Sequence, residues 1–237
     1  MRSLLILMMF TASLVHAAGI EYEEVRNLSL SAEGISTLEI EAGAGSLEVI
    51  GVSGTDDIVV TAIIHVPEDD DDKARKIIES GIVLGLEKSG DSAVLKSYFA
   101  GGFMNFGDSP HVQLEVRMPE RLALNIDDGS GSIVVVGVSG NIELEDGSGS
   151  ILLTNVGGDV EIDDGSGSIN VEGVNGDLII GDGSGSIKVR DVTGSVTVDD
   201  GSGSINVSDV EADLIIENDG SGSLNFSNIG GQVETDG

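Results

Sequence analysis

The sequence predicts an all-β fold, a parallel two-sheet β-solenoid of 18-residue coils with an N-terminal cap that contains one short helix. Three observations predict it. The string DGSGSI starts at Asp128, Asp146, Asp164, Asp182 and Asp200, and DGSGSL starts at Asp219, so the spacing is 18 four times and then 19. Each 18 contains a finer period of nine. Its sixth residue is always aliphatic, from Ile133 and Ile142 to Leu224 and Val233, and its fourth is Gly in eleven of twelve units, the exception being Ala212. The second residue alternates between Gly (Gly129, Gly147, Gly165) and an aliphatic residue (Val138, Val156, Val174).

Each nine-residue unit reads as a Gly-containing tight turn followed by a strand with alternating apolar positions. Two different turns alternate, so one coil is two strands. Coils then stack about 4.8 Å apart, with the two sheets about 10 Å apart and aliphatic columns between them. The crossover rule favours a right-handed wind. An antiparallel meander also suits a nine-residue spacing. Identical turns in register favour stacking, because like side chains then form ladders.

Residues 1–17, MRSLLILMMFTASLVHA, read as a secretory signal peptide. Arg2 supplies the positive end, Leu4 to Phe10 is apolar, and Val15 and Ala17 suit a cleavage after Ala17. The segment is too short to span a bilayer. The mature chain is expected to be exported, to the periplasm or the cell surface and medium. Residues 18–126 are expected to hold the first coils plus a capping insertion, and 127–237 the regular repeats.

The register persists upstream in AGAGSLEVI at 42–50 and in Leu38 and Ile40 before it. After Pro67 the run EDDDDKARKIIES crowds acids into a first turn, places Ala74, Ile77 and Ile78 on one face, and stops at Gly81. Those are helix signals, over about 68–80. Residues 82–99 and 112–118 read as strands. Between them SYFAGGFMNFGDSPH gathers Tyr98, Phe99, Phe103, Met104 and Phe106. These either plug the open N-terminal end of the core or form an exposed apolar loop that meets a partner.

Composition narrows the function classes. With 42 acidic and 11 basic residues the formal net charge is -31. That argues against nucleic acid, whose phosphates need basic patches, and against docking on anionic lipid. Cys is absent, which excludes disulfides, thiolate metal sites, a Cys nucleophile and a lipid-modified Cys. Five Phe, two Tyr and no Trp leave an aliphatic core.

No catalytic constellation emerges, so the chain is read as not an enzyme. Only His65 and His111 remain after cleavage, in different segments. The repeated turn serines suggest structure, since a catalytic centre needs one constellation of unlike groups. Outward positions are mixed: Glu143, Glu161, Ile179, Thr197 and Ile215 on one sheet, Val134, Leu152, Asn170, Lys188, Asn206 and Asn225 on the other.

The sharpest candidate site is the acidic turn column of Asp128, Asp146, Asp164, Asp182, Asp200 and Asp219, with Asp127, Glu145, Asp163 and Asp199 beside it. Carboxylates stacked at strand spacing repel by roughly 0.9 kcal/mol per neighbouring pair in a water-like dielectric. Either each Asp accepts hydrogen bonds from the following turn amides, or Ca²⁺ bridges successive turns. The nonapeptide calcium repeat has its Asp at position six, where this chain has an aliphatic residue, so any calcium site here is of another kind. No cofactor is otherwise expected.

At the GSGSI turn and its alternating GVxG turn, the chain resembles the bacterial "putative adhesin" family over about 33–237. The motif stands at Gly129–Ile133, Gly147–Ile151, Gly165–Ile169, Gly183–Ile187, Gly201–Ile205 and Gly220–Leu224. The family often has Asp after the second Gly; here Ser132, Ser150, Ser168, Ser186, Ser204 and Ser223 take that place. The resemblance implies an envelope protein of β-strand repeats with no established biochemical activity. The expected function is an exported, non-enzymatic cell-envelope scaffold or interaction module, with a protein, envelope or glycan partner and end-to-end self-association as a further mode. The alternatives are a calcium-stabilised surface adhesion or matrix protein and, more remotely, a glycan-processing solenoid enzyme.

Overall fold

The computed structural model describes residues 22–100 and 109–235. The leader expected at 1–17 lies outside these residues, as do Phe103, Met104 and Phe106 of the aromatic loop. The N-terminal half forms β1 (Tyr22–Ser31), β2 (Thr37–Val52), β3 (Asp57–Val66), α1 (Asp71–Gly81), β4 (Ile82–Ser89), β5 (Ser92–Phe99), β6 (His111–Pro119) and β7 (Ala123–Val136). The repeats then alternate short and long strands. The short ones are β8 (Ile142–Asp146), β10 (Val160–Asp164), β12 (Leu178–Asp182), β14 (Val196–Asp200), β16 (Leu214–Asn218) and β18 (Val233–Thr235). The long ones are β9 (Gly149–Val156), β11 (Gly167–Val174), β13 (Gly185–Val192), β15 (Gly203–Val210) and β17 (Ser223–Ile229).

Each repeat strand pairs in parallel with the strand 18 residues away, so Ile151, Ile169, Ile187 and Ile205 stand in one row. The short strands stack into one sheet and the long strands into the other. β2 and β7 run through the corner and contribute one half to each sheet. The architecture is therefore the parallel solenoid, and the meander is excluded by the strand directions.

Strand alternation fixes the core. Ile169 and Val171 are buried, as are their counterparts in neighbouring coils, and Leu178 and Ile180 face them from the other sheet. Gly167 shows why the turn demands glycine. Its φ is +150°, and a Cβ there would lie 1.7 Å from the Gly149 carbonyl oxygen of the adjacent coil. Coil stacking at backbone contact leaves no room for a side chain.

At the N-terminal end stack order departs from chain order. The coil of β2 lies between that of β5 and β6 on one side and that of β7 on the other. Both sheets then close with antiparallel strands, β4 on β5, and β3 on β6 with β1 outside it. Reversed strands end the parallel stack. The helix begins at Asp71, inside the acidic run and three residues after the expected start at 68. The Asp70 side chain accepts the Asp72 and Lys73 amides at 3.0 and 3.1 Å, and Ala74 and Ile78 are buried.

Candidate functional site

The acidic turn column forms the first corner of each coil. In β8, Ile142, Leu144 and Asp146 alternate with exposed Glu143 and Glu145. Asp146 therefore points inward, as do Asp128, Asp164, Asp182 and Asp200, all 5% exposed or less. Strand parity carries these side chains under the turn. The outward acids are instead Asp127, Glu145, Asp163 and Asp199.

One oxygen of each carboxylate caps its own turn. Oδ1 of Asp146, Asp164, Asp182 and Asp200 accepts the N–H of Ser148, Ser166, Ser184 and Ser202 at 3.2, 3.1, 3.0 and 2.9 Å. The other oxygen, Oδ2, is buried without a hydrogen-bond partner in all five. Burial accordingly raises the carboxyl groups. Asp128 is pushed up to about 7 by burial and then by Asp146, and Asp164 to about 6 by burial and then by its charged neighbours, against the pull of turn amides. Asp146, Asp182 and Asp200 are raised by burial as well.

Asp219 departs from the column. A register shift pairs Asp199 with Asn218, and Asn218 Oδ1 takes over the turn cap by accepting the Gly220 amide at 3.0 Å. Asp219 is left half-buried. Among the described residues no group of three or more His, Asp or Glu converges as a metal cage.

The second corner holds a device that the repeat pattern did not reveal. Asn155, Asp191, Asp209 and Asn228 adopt φ of 56–59°, and Gly137 and Gly173 occupy the equivalent positions at φ 72° and 77°. Asn and Asp tolerate this left-handed conformation better than other side-chain residues do. The kink turns Val138, Val156, Val174, Val192 and Val210 into the core. Close by, side chains bridge the coils. Asn141 Oδ1 accepts the Asp159 amide at 3.1 Å, Asp159 Oδ1 the Asp177 amide at 2.9 Å, Asp177 Oδ1 the Ser195 amide at 2.8 Å, and Asp213 Oδ1 the Gln232 amide at 2.7 Å. The Gly, Asn or Asp at the first position of every second unit was the available signal.

On the outside of the first sheet, register aligns acids into two rows. Glu39, Asn125, Glu143 and Glu161 form one; Glu41, Asp127, Glu145 and Asp163 form the other. Lys96 meets this face only at Glu41, at 2.7 Å. The aromatic loop is described only at its base, where Tyr98 is half-buried and Phe99 packs against the core. The two histidines, distant in sequence, come together. His65 and His111 are cross-strand partners with rings stacked at 4.8 Å, and His65 Nδ1 lies 3.5 Å from Glu23.

No family model matches the chain, and no curated protein matches it. Solved structures do. A putative adhesin from Bacteroides fragilis aligns with a TM-score of 0.46 and 10% identity, over 90% of this chain and 97% of that one. A putative cell adhesion protein from Clostridium sporogenes gives 0.43 and 13%, over 90% and 99%. A putative lipid binding protein from Parabacteroides distasonis gives 0.43 and 16%, over 90% and 97%.

Proposed function

We propose that this chain is an exported, non-enzymatic module of the cell envelope that engages a protein or glycan partner through a rigid side face. The observation that carries this reading is the pair of in-register acidic rows on the first sheet, seven carboxylates and Asn125 on parallel strands. Hydrogen-bonded strands hold such charges in fixed positions, and a fixed charge pattern gives partner choice and fast encounter more than raw affinity. The partner surface it suits is basic. The leader-like sequence at 1–17 supports export, and no helix of the described residues is long and apolar enough to cross a membrane.

The test uses the full chain expressed in cells. Intact-mass measurement should find the mature protein starting at Ala18 in the exported fraction. A photo-cross-linker at Glu161 should then capture a discrete partner. Replacing Glu143, Glu145, Glu161 and Asp163 by their amides, with the cross-linker moved to Ile179, should abolish capture without unfolding the protein. Capture that survives neutralisation of the face, or a chain retained unprocessed in the cytoplasm, overturns the reading. Capture that depends on calcium favours a calcium-stabilised surface protein instead.

A further inference from the structure

The inward aspartates pose a problem that an interaction role leaves untouched. Asp128, Asp146, Asp164, Asp182 and Asp200 are direct partners on successive strands, hence about 4.8 Å apart along the stack. All five are buried, and each keeps one oxygen, Oδ2, without a partner. Burial disfavours each charge, and each charge disfavours the next, so the five cannot all be ionised together.

The surroundings offer no relief from a cation. On the N-terminal side the column continues through Ala42 and Ser97, and the Ser97 hydroxyl is itself buried without a partner. On the C-terminal side lie Asn218 and Asp219. The strands carrying the column add Asp127, Glu145, Asp163 and Asp199 on their outer face. The strands leaving the turn begin Gly-Ser-Ile. Their charged groups, Glu172, Lys188, Arg190, Asp191 and Asp209, sit further along the strands and are not buried, and Arg190 pairs with Glu172 and Asp191.

We propose that this corner is a proton-binding site, a file of buried aspartates in which neutral carboxyl groups are interspersed among carboxylates at neutral pH. Each proton comes from solvent, one per neutral carboxyl. Protonation removes the charge from a carboxyl whose Oδ2 has no partner, and at about 4.8 Å along the stack the rungs act on one another through charge. The upward displacement of all five groups, Asp128 to about 7 and Asp164 to about 6, agrees with this arrangement. The site suits a proton better than Ca²⁺. A calcium ion takes six to eight oxygens, whereas Asp146, Asp164, Asp182 and Asp200 each offer one oxygen not already held by a turn amide. The consequence is a fold that takes up protons and tightens in mild acid, independently of which partner it binds.

The test is carboxyl spectroscopy on the mature protein: ¹³C NMR of aspartate carboxyl groups, with the infrared carbonyl band of neutral carboxyls as a second readout. At pH 6 a free aspartate is about 99% ionised. We expect neutral carboxyl signal to persist there, to shrink in Asp164→Asn, and to stay unchanged in Asp56→Asn, whose carboxylate is exposed and lies outside the column. The parent protein alone already decides the matter should a variant fold poorly. If every aspartate carboxyl in the folded parent titrates with a midpoint below about 4.5, near its free value, the proposal fails. It also fails if millimolar calcium chloride at pH 6 removes the neutral signal, because the column is then a metal site.

Discussion

Ala212 stands seventeen residues after Ser195, and the two departures from the repeat belong together. A Cβ at Gly176 would lie 2.4 Å from Asp159 Oδ1, one at Gly194 2.4 Å from Asp177 Oδ1, and one at Gly231 2.1 Å from Asp213 Oδ1. The acid lies seventeen residues earlier in the first two cases and eighteen in the third, which spans the extra residue of the last coil. At 195 the shorter Ser takes the acid's place, and the 212 position carries a methyl group. Among the described residues, Ser195 is also where the side-chain bridge to the next coil is missing.

The pair should therefore behave as a unit. Ser195→Asp alone brings a carboxylate against the Ala212 methyl and should cost about 1–3 kcal/mol. Combined with Ala212→Gly it should restore the bridge to the Asp213 amide, worth about 1 kcal/mol. Urea denaturation of the four proteins should show a coupling of about 1 kcal/mol or more. Additive effects would mean that the two departures are unrelated.

Ile169 is 1% exposed, and Asn170 beside it points outward. Ile169→Asp should lower stability by several kcal/mol, because it buries a charge in the aliphatic column. Asn170→Asp should change it by less than about 0.5 kcal/mol. Equal denaturant midpoints for the two variants would contradict the register.

The buried carboxyl groups give stability a direction in pH. Asp128 and Asp164 rise from an ordinary 3.8 to about 7 and about 6. Between those limits the folded chain holds protons that the unfolded chain has released. Their contribution is complete below 3.8 and is lost as pH rises through about 6 to 7. Midpoints measured at constant ionic strength should fall across that window. The double variant Asp164→Asn with Asp182→Asn should show a flatter fall and exceed the parent at pH 8. Parallel curves for the two proteins would leave the slope to surface acids.

Much of this fold was legible because repetition turns one local pattern into a global one. The inward aliphatic positions and the two turn types, together with the acid-capped start of α1, follow from spacing and residue type. The inward direction of the aspartates is a matter of strand parity and is not carried by the turn motif itself. The parity of Ile142, Leu144 and Asp146 in one strand held the answer. The pairing of His65 with His111, and the placement of β5 and β6 outside β2, leave no local trace. They depend on where α1 returns the chain. The left-handed corner at Asn155 and Asp191 was encoded, but as a choice among Gly, Asn and Asp rather than as one repeated letter.

The central claim is that coils stack in parallel with a period of 18 residues. Val134, Leu152, Asn170, Lys188 and Asn206 then occupy one outward row, on five successive strands of the second sheet. The chain has no cysteine, so Val134→Cys and Asn206→Cys accept spin labels without background. The most direct measurement is the label separation by pulsed electron–electron double resonance. Four strand spacings predict a backbone separation of about 19 Å. A meander with a nine-residue repeat places eight spacings between the same residues, and a separation of about 38 Å would contradict the account.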